Sequence, residues 1–422
     1  MTNSGKLAIL VGGGPAPGTN SVISAAAIRA NLAGVEVVGL LDGFSHLRGN
    51  SIPQRKNLPI DAVSHIHFRG GSILRTSRDV PVNAEQEHAC GTALRALGVN
   101  KLITIGGDET CRAALRVAAA AGDALRVVHV PKTIDNDLPL PQGIPALGYE
   151  TARHVGVGIV RDLLVDAKTT GRWYFLVTMG RNAGHLALGI GKAAGASLTI
   201  IPEEFSGGPP TLERIADTLV GAIIKRLANG RRDGVALLAE GLAAHLSEDE
   251  AKSLRRGADD SPIRLGELVL GDVIKNKVTE KLAALGLNQP IVSKDIGYEL
   301  RSADPIPFDM EYARDLGYCA AKYLLEGGTN AVVTMVAGKF QPMSFDELLR
   351  GPSGDVEMRA VSVDTEHYKI ARRYMLRLRR DDFQNADLLA RLANTAKLST
   401  DAFRQRFSYL VADEAPPIRF VP

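Results

Sequence analysis

Cysteine is scarce in this 422-residue chain: Cys90, Cys111 and Cys319 are widely spaced and form no metal-ligand pattern. An odd, sparse count argues against a disulfide framework and fits a reducing compartment. Charge of one sign is not in excess either. Fifty Lys and Arg against 47 Asp and Glu leave a formal net charge of +3, too little to indicate a nucleic-acid partner. The local basic clusters, Arg255-Arg256 and residues 372–380, read as solvated helix faces. No apolar run approaches the length of a membrane span. The amino-terminal MTNSGK leads into an apolar strand without a signal-peptide h-region. A cytoplasmic protein with neither membrane nor nucleic acid as partner is expected. Low-complexity segments and clear internal repeats are also missing. The remaining composition, 45% hydrophobic and 23% charged, is that of an ordinary enzyme long enough for two or three domains.

Two familiar phosphate signatures are absent as well. Residues 12–20 (GGGPAPGTN) lack the GxGxxG spacing of a dinucleotide loop and the closing Gly-Lys-Ser/Thr of a P-loop. What is present is a glycine-rich turn between an apolar strand, 6–11, and a helical stretch, about 20–33. There, backbone amides and a helix amino terminus can face an anion. Taken alone, a tight βα turn and a phosphate loop are equally good readings of it. Further apolar runs at 35–41, 102–105 and 127–130 read as strands, with a helical pattern at 110–121. A second alternating block has strands at 173–178, 197–201, 234–239 and 330–336. Its helices fall at 184–194, 212–228 and 309–325. Such alternation predicts parallel, doubly wound α/β sheets.

The chemistry concentrates at two strand ends. Residues 106–110 (GGDET) follow one apolar run and residues 132–137 (KTIDND) follow another. In open α/β sheets ligands bind at the carboxyl ends of strands. Asp108, Asp135 and Asp137 are thus expected at one crevice with Lys132 and several backbone amides. Acids suit Mg²⁺ and proton abstraction; lysine and glycine amides suit phosphate. Together they point to phosphoryl transfer onto a hydroxyl.

These residues resemble those of the phosphofructokinase family. The resemblance runs in the family's order from about residue 6 to about residue 340. It is carried by residues 12–20, 70–78 (GGSILRTSR), GGDET, TIDND, Met179-Gly180-Arg181, Pro202-Glu203, and 298–301 (YELR) followed by 305–309. It implies two Rossmann-like lobes of mainly parallel sheet flanked by helices, with the active site in the cleft between them. On this reading residues 1–170 form an α/β lobe carrying the donor and Mg²⁺ site. Residues 171–340 form the sugar-phosphate lobe, and 341–422 a helical extension, with the chain crossing between lobes more than once.

The resemblance also implies roles. Gly13, Gly14, Gly107 and Thr110 bind the phosphoryl donor, and Arg78 steadies the charge in transfer. Asp135 is the general base that takes the proton of a sugar hydroxyl. Thr133 and Ile134 lie with it on the sugar side. Asp108 holds Mg²⁺, directly or through water, with Asp137 the second candidate. Met179, Gly180, Arg181 and Glu203 face the sugar or its reacting phosphate; Tyr298 and Arg301 bind the 6-phosphate. Arg172 and Lys294 match basic residues that reach the 6-phosphate from a neighbouring subunit, so a homodimer or homotetramer with shared active sites is implied.

Three positions resemble the diphosphate-using branch of the family. Pro15 stands where ATP-using members usually carry aspartate. Glu109 and Lys132 stand where those members usually carry glycine, leaving room for the nucleotide's α-phosphate. A carboxylate at 109 would fill and charge that space, while Lys132 can neutralise a leaving phosphate. Diphosphate enzymes typically have aspartate at the first position; this chain has glutamate. The expected reaction is reversible transfer from diphosphate to the 1-hydroxyl of fructose 6-phosphate. The same reaction with ATP is the alternative. A non-catalytic sugar-phosphate-binding subunit would be expected to lack some of Asp108, Lys132, Asp135 and Arg181. An NAD kinase-like enzyme would share GGD without explaining TIDND and MGR together.

Overall fold

The computed structural model describes residues 5–49, 54–205, 208–254, 269–348, 356–412 and 414. Arg255-Arg256 therefore lies outside the described residues, as does much of the polar stretch that follows. Among those described, the strands in chain order are β1 (Lys6–Val11), β2 (Val37–Leu40), β3 (Arg55–Asn57), β4 (Val99–Gly106), β5 (Arg126–Thr133) and β6 (Leu147–Gly148). These are followed by β7 (Trp173–Thr178), β8 (Leu198–Ile200), β9 (Gly234–Ala239), β10 (Ile291–Ile296), β11 (Ala331–Val336) and β12 (Lys339–Ser344). The chain divides into two compact units. The first is Met1–Ala152 with Tyr298–Arg359, the second Arg153–Gly297 with Ala360–Pro422. The boundaries expected at 170 and 340 follow motif order, whereas compactness divides the chain at 152, 297 and 359.

In the first unit the sheet order is β12-β11-β5-β4-β1-β2-β3, with β6 beside β5. Strands β2, β1, β4, β5 and β11 run parallel, and the antiparallel β3 and β12 close the two edges. Side chains alternate across this sheet with the two-residue period of a strand. Ala8, Leu10, Leu102 and Val127 enter one core, under the helices Ala84–Ala96 and Asp108–Ala121. Leu7, Ile9, Ile103, Ile105, Val128 and Val130 enter the other, under Thr19–Leu32 and Pro307–Leu325. Burial on both faces is why these strands read as continuous apolar runs. From β1 the chain goes to β2 on one side and later to β4 on the other. The order thus reverses between β1 and β4, where a crevice opens at the strands' carboxyl ends.

The second unit is built on a parallel sheet of order β10-β7-β9-β8. Its core takes in Trp173, Phe175, Leu198, Ile200, Ala236 and Leu238 from the strands, and Ile215, Leu219 and Ile223 from the helix Leu212–Ala228. The tail belongs to this core. Helices Glu366–Tyr374, Ala386–Thr395 and Thr400–Phe407 start at Thr365, Asn385 and Ser399, whose side chains accept an amide of the first turn. They bury Tyr368, Leu389, Leu392, Phe403 and Phe407 in the core. The basic cluster at 372–380 departs from the solvated face expected of it. Arg372 and Arg377 pair with buried Glu204 at 2.7 Å each, and Arg379 with Glu414 at 3.5 Å. The acids that neutralise the cluster come from elsewhere in the chain, so a local reading of charge could not see them.

Candidate active site

The glycine loops after β1 and β4 meet at the reversal point of the first unit. Gly12 N–H donates to Ile105 O, and Gly13 N–H to Ser77 O, each at 2.9 Å. The Thr76 hydroxyl donates to Gly13 O at 2.6 Å. The two expected phosphate loops and the GGDET turn therefore lie side by side. Gly13 has φ 77°, a left-handed conformation that disfavours a side chain. Gly12 and Gly106 are required for a different reason. A Cβ on either would stand 2.3 or 2.5 Å from the hydroxyl oxygen of buried Thr110, which packs between the loops. Arg78 is exposed, one residue beyond Ser77, which itself bridges Gly12.

Lys132 is buried at the end of β5 and donates to Gly12 O at 2.9 Å and to Gly14 O. Its ammonium thereby ties the strand carrying the Asp135 turn to the first glycine loop. Arg301 stands beside the same loop: a Cβ on Gly14 would lie 3.1 Å from Arg301 Nη1. The Arg301 guanidinium stacks over the Tyr298 ring at 4.5 Å. Both residues fall in the first unit, although motif order grouped them with the second lobe.

The KTIDND turn follows from its own hydrogen bonds. Thr133 Oγ1 accepts the Asp135 N–H at 3.0 Å and donates to Asp137 Oδ1 at 3.3 Å. Asn136 sits at φ 57°, a conformation asparagine tolerates better than most residues. Its Oδ1 accepts Ala146 N–H at 2.9 Å. Asp135 and Asp137 are buried, as is Ile134 between Thr133 and Asp135. Gly107 is the N-cap of the helix Asp108–Ala121, whose first turn carries Asp108 and Glu109, the latter exposed.

Below this turn lies a residue that the motifs did not single out. His129 is fully buried on β5; its Nε2 lies 3.0 Å from Gly106 O and its Nδ1 2.9 Å from Thr104 Oγ1. Burial pushes its pKa down to about 3, with Lys132 adding in the same direction, so the ring is neutral near pH 7.

In the second unit the carboxyl ends of β7, β8 and β9 carry Met179-Gly180-Arg181, Pro202-Glu203 and Glu240. Arg181 has φ 51°, uncommon outside glycine and asparagine. One oxygen of buried Glu240 accepts both the Gly180 and Arg181 amides, at 3.0 and 2.6 Å. Sequence reasoning passed over Glu240, yet it follows an apolar strand as directly as Glu203 does. Glu203 Oε1 accepts Gly184 N–H at 2.9 Å and Val361 N–H at 3.0 Å, so it caps the helix His185–Ala194 and binds the tail. Arg172 lies at the opposite end of β7 from Arg181. Six residues of strand at ~3.3 Å each put about 20 Å between the two ends. Its Nε is 4.0 Å from Asp166 Oδ2. Lys294 is exposed on the edge strand β10.

Among the described residues no group of three or more His, Cys, Asp or Glu converges on a metal position. The donor set that is present suits a cation of another kind, held by one or two carboxylates and completed by phosphate oxygens and water, as is usual for Mg²⁺.

Comparison with known proteins shows the family. The phosphofructokinase family model matches residues 6–324. A pyrophosphate–fructose 6-phosphate 1-phosphotransferase of Naegleria fowleri is 47% identical over 422 residues, covering 97% of this chain and 96% of that protein. One of the same name from Thermotoga maritima is 46% identical over 411 residues, covering 95% and 98%. The crystal structure of a pyrophosphate-dependent phosphofructokinase from Nitrosospira multiformis has a TM-score of 0.66 at 15% identity, covering 93% of this chain and 92% of that one, a likeness of fold. A family match of this span, laid over the glycine loops and strand-end motifs just described, shows that the chain belongs to the phosphofructokinase family.

Proposed function

We propose that this protein transfers a phosphoryl group from diphosphate to the 1-hydroxyl of fructose 6-phosphate, giving fructose 1,6-bisphosphate and phosphate. The observation that carries the reading is the presence of both Lys132 and Glu109 at the ends of β5 and β4. The lysine is buried against the carbonyls of the first glycine loop, and the glutamate occupies the first turn of the helix that follows the second. A nucleotide's α-phosphate at that turn would meet a carboxylate, whereas diphosphate has no third phosphate to place there. The names of the relatives from Naegleria fowleri and Thermotoga maritima agree with this donor.

In this reading Asp135 takes the proton of the 1-hydroxyl as its oxygen attacks the nearer phosphorus. The bridging P–O bond breaks and the distal phosphate leaves. Gly13, Gly14, Gly107 and Thr110 cradle the donor, while Lys132 and Arg78 offset its charge. Asp108 would hold Mg²⁺, directly or through water, and Asp137, whose Oδ1 accepts the Thr133 hydroxyl, has the lesser claim. A Mg²⁺ ion held there would supply neutralisation of the donor's charge. Met179, Gly180, Arg181 and Glu203 are assigned to the sugar and its reacting phosphate, and Thr133, Ile134, Tyr298 and Arg301 to the sugar phosphate. The donor residues thus belong to the first unit, and the residues assigned to the sugar and its phosphate are drawn from both. Arg172 and Lys294 are assigned to the neighbouring subunit's site in a homodimer or homotetramer. For Arg172 the support is its place at the far end of β7 from Arg181. Transfer between anhydride and ester is reversible, so phosphate should convert fructose 1,6-bisphosphate back. The cytoplasm is the compartment this reading implies, and three buried free thiols accord with it. Purified protein assayed with Mg²⁺ and fructose 6-phosphate against each donor tests the reading. Turnover with diphosphate supports it; turnover with ATP alone overturns it.

A further inference from the structure

Arg359 lies beyond the 6–324 span of the family match and in no motif, yet it is wrapped around the KTIDND turn. Its backbone N–H donates to Asp137 O at 2.7 Å. Its Nε donates to Asn136 O at 3.1 Å, Nη1 to Ile144 O at 3.0 Å, and Nη2 to Asn136 Oδ1. Three of these four hydrogen bonds fix left-handed Asn136, the residue next to Asp135, and the two peptides that follow it; the fourth ties the turn to Ile144. Left-handed backbone outside glycine persists where the surroundings over-determine it. Here Arg359 and the Ala146 amide supply that over-determination. The guanidinium is partly removed from water, which lowers its pKa, while the Asp137 carboxylate opposes that shift.

We propose that Arg359 is a positioning residue for Asp135. By clamping Asn136 it holds the Asp135 carboxylate where a sugar hydroxyl can give up its proton, without itself touching substrate. The inference rests on the assignment of Asp135 as the proton acceptor. Geometry of this kind matters to rate: a displacement of about 1 Å at a reacting group can cost on the order of 10²-fold.

The test is a double-mutant cycle on the full chain with Arg359→Ala, Asp135→Asn and the pair, assayed with diphosphate and fructose 6-phosphate. Arg359→Ala should lower kcat about 10²-fold, with the KM for diphosphate within about twofold of wild type. Added guanidinium or ethylguanidinium at millimolar concentration should restore part of that loss. In the Asp135→Asn background the same change should cost nothing further, because a residue that acts through Asp135 has nothing left to position. Arg359→Lys keeps the charge but loses the fork, and should fall between wild type and Arg359→Ala. It also serves if the alanine variant does not fold. Losses that multiply in the double variant, or a lysine variant with unchanged kcat, would overturn the proposal. A wild type inactive with diphosphate, or an Asp135→Asn chain that keeps its activity, would instead overturn the assignment of reaction or base on which it rests.

Discussion

Asp135 owes its place to three neighbours of different kinds. Thr133 fixes its amide, Asn136 turns the chain after it, and Arg359 grips that turn from more than two hundred residues away. Replacing Asp135 with asparagine leaves shape and hydrogen bonding largely intact while removing the proton acceptor. Turnover should fall by roughly 10²–10⁴-fold, with fructose 6-phosphate binding retained in calorimetric titration. Activity within a few fold of wild type would remove Asp135 from the mechanism. At this scale the motif residues were legible, because a strand-end acid beside glycines is a local pattern. Glu240 was equally legible by position and was passed over because no motif marked it. Arg359 was not legible: its partners are distant in sequence, and a lone arginine in an extended segment carries no periodic signal. The pairing of Glu204 with Arg372 and Arg377 was hidden for the same reason.

At the scale of elements, β4 and β5 end in the turns that carry Asp108 and Asp135, and the His129 side chain ties the two strands together. With a pKa of about 3 in the folded chain against 6.5 for an ordinary histidine, the unfolded chain binds the extra proton between those values. Stability from this group is therefore complete above about pH 6.5 and declines as pH falls toward 3, by about 1.4 kcal/mol per pH unit. Urea unfolding at pH 6, 5 and 4 should approach that slope in wild type and lack it in His129→Leu, which should also be less stable at pH 7. An unchanged slope would mean that other groups set the acid sensitivity. The buried central strands were readable from composition, since burial on both faces leaves mainly apolar residues. The edge strands β3, β10 and β12 were not. β10 (IVSKDI) places three polar residues in a row, and β12 carries Pro342, which an edge tolerates because one side of its backbone needs no partner. Motif order likewise placed Tyr298 and Arg301 with the second lobe, although the chain had already returned to the first.

For the whole molecule, the assignment of Arg172 to a neighbouring site makes activity a property of the assembly. A chain carrying Asp135→Asn and a chain carrying Arg172→Ala should each be nearly inactive. After subunit exchange, mixed dimers with one intact composite site should recover up to about half the wild-type activity per mixed dimer. No recovery after exchange is confirmed by native mass spectrometry would place Arg172 in its own chain's site. The central claim is the choice of donor, and it turns on one carboxylate. A like-charge clash in a site closing around its substrate costs several kcal/mol, on the order of a thousandfold in rate. Lys132→Gly is the less clean test, because removing it also frees the Gly12 and Gly14 carbonyls from their tie to β5. The direct measurement is kcat/KM for diphosphate and for ATP in wild type and in Glu109→Gly. Wild type should turn over diphosphate and barely use ATP, and Glu109→Gly should raise the ATP value by at least tenfold while leaving diphosphate turnover largely in place. A wild type that works well with ATP and ignores diphosphate would contradict the account.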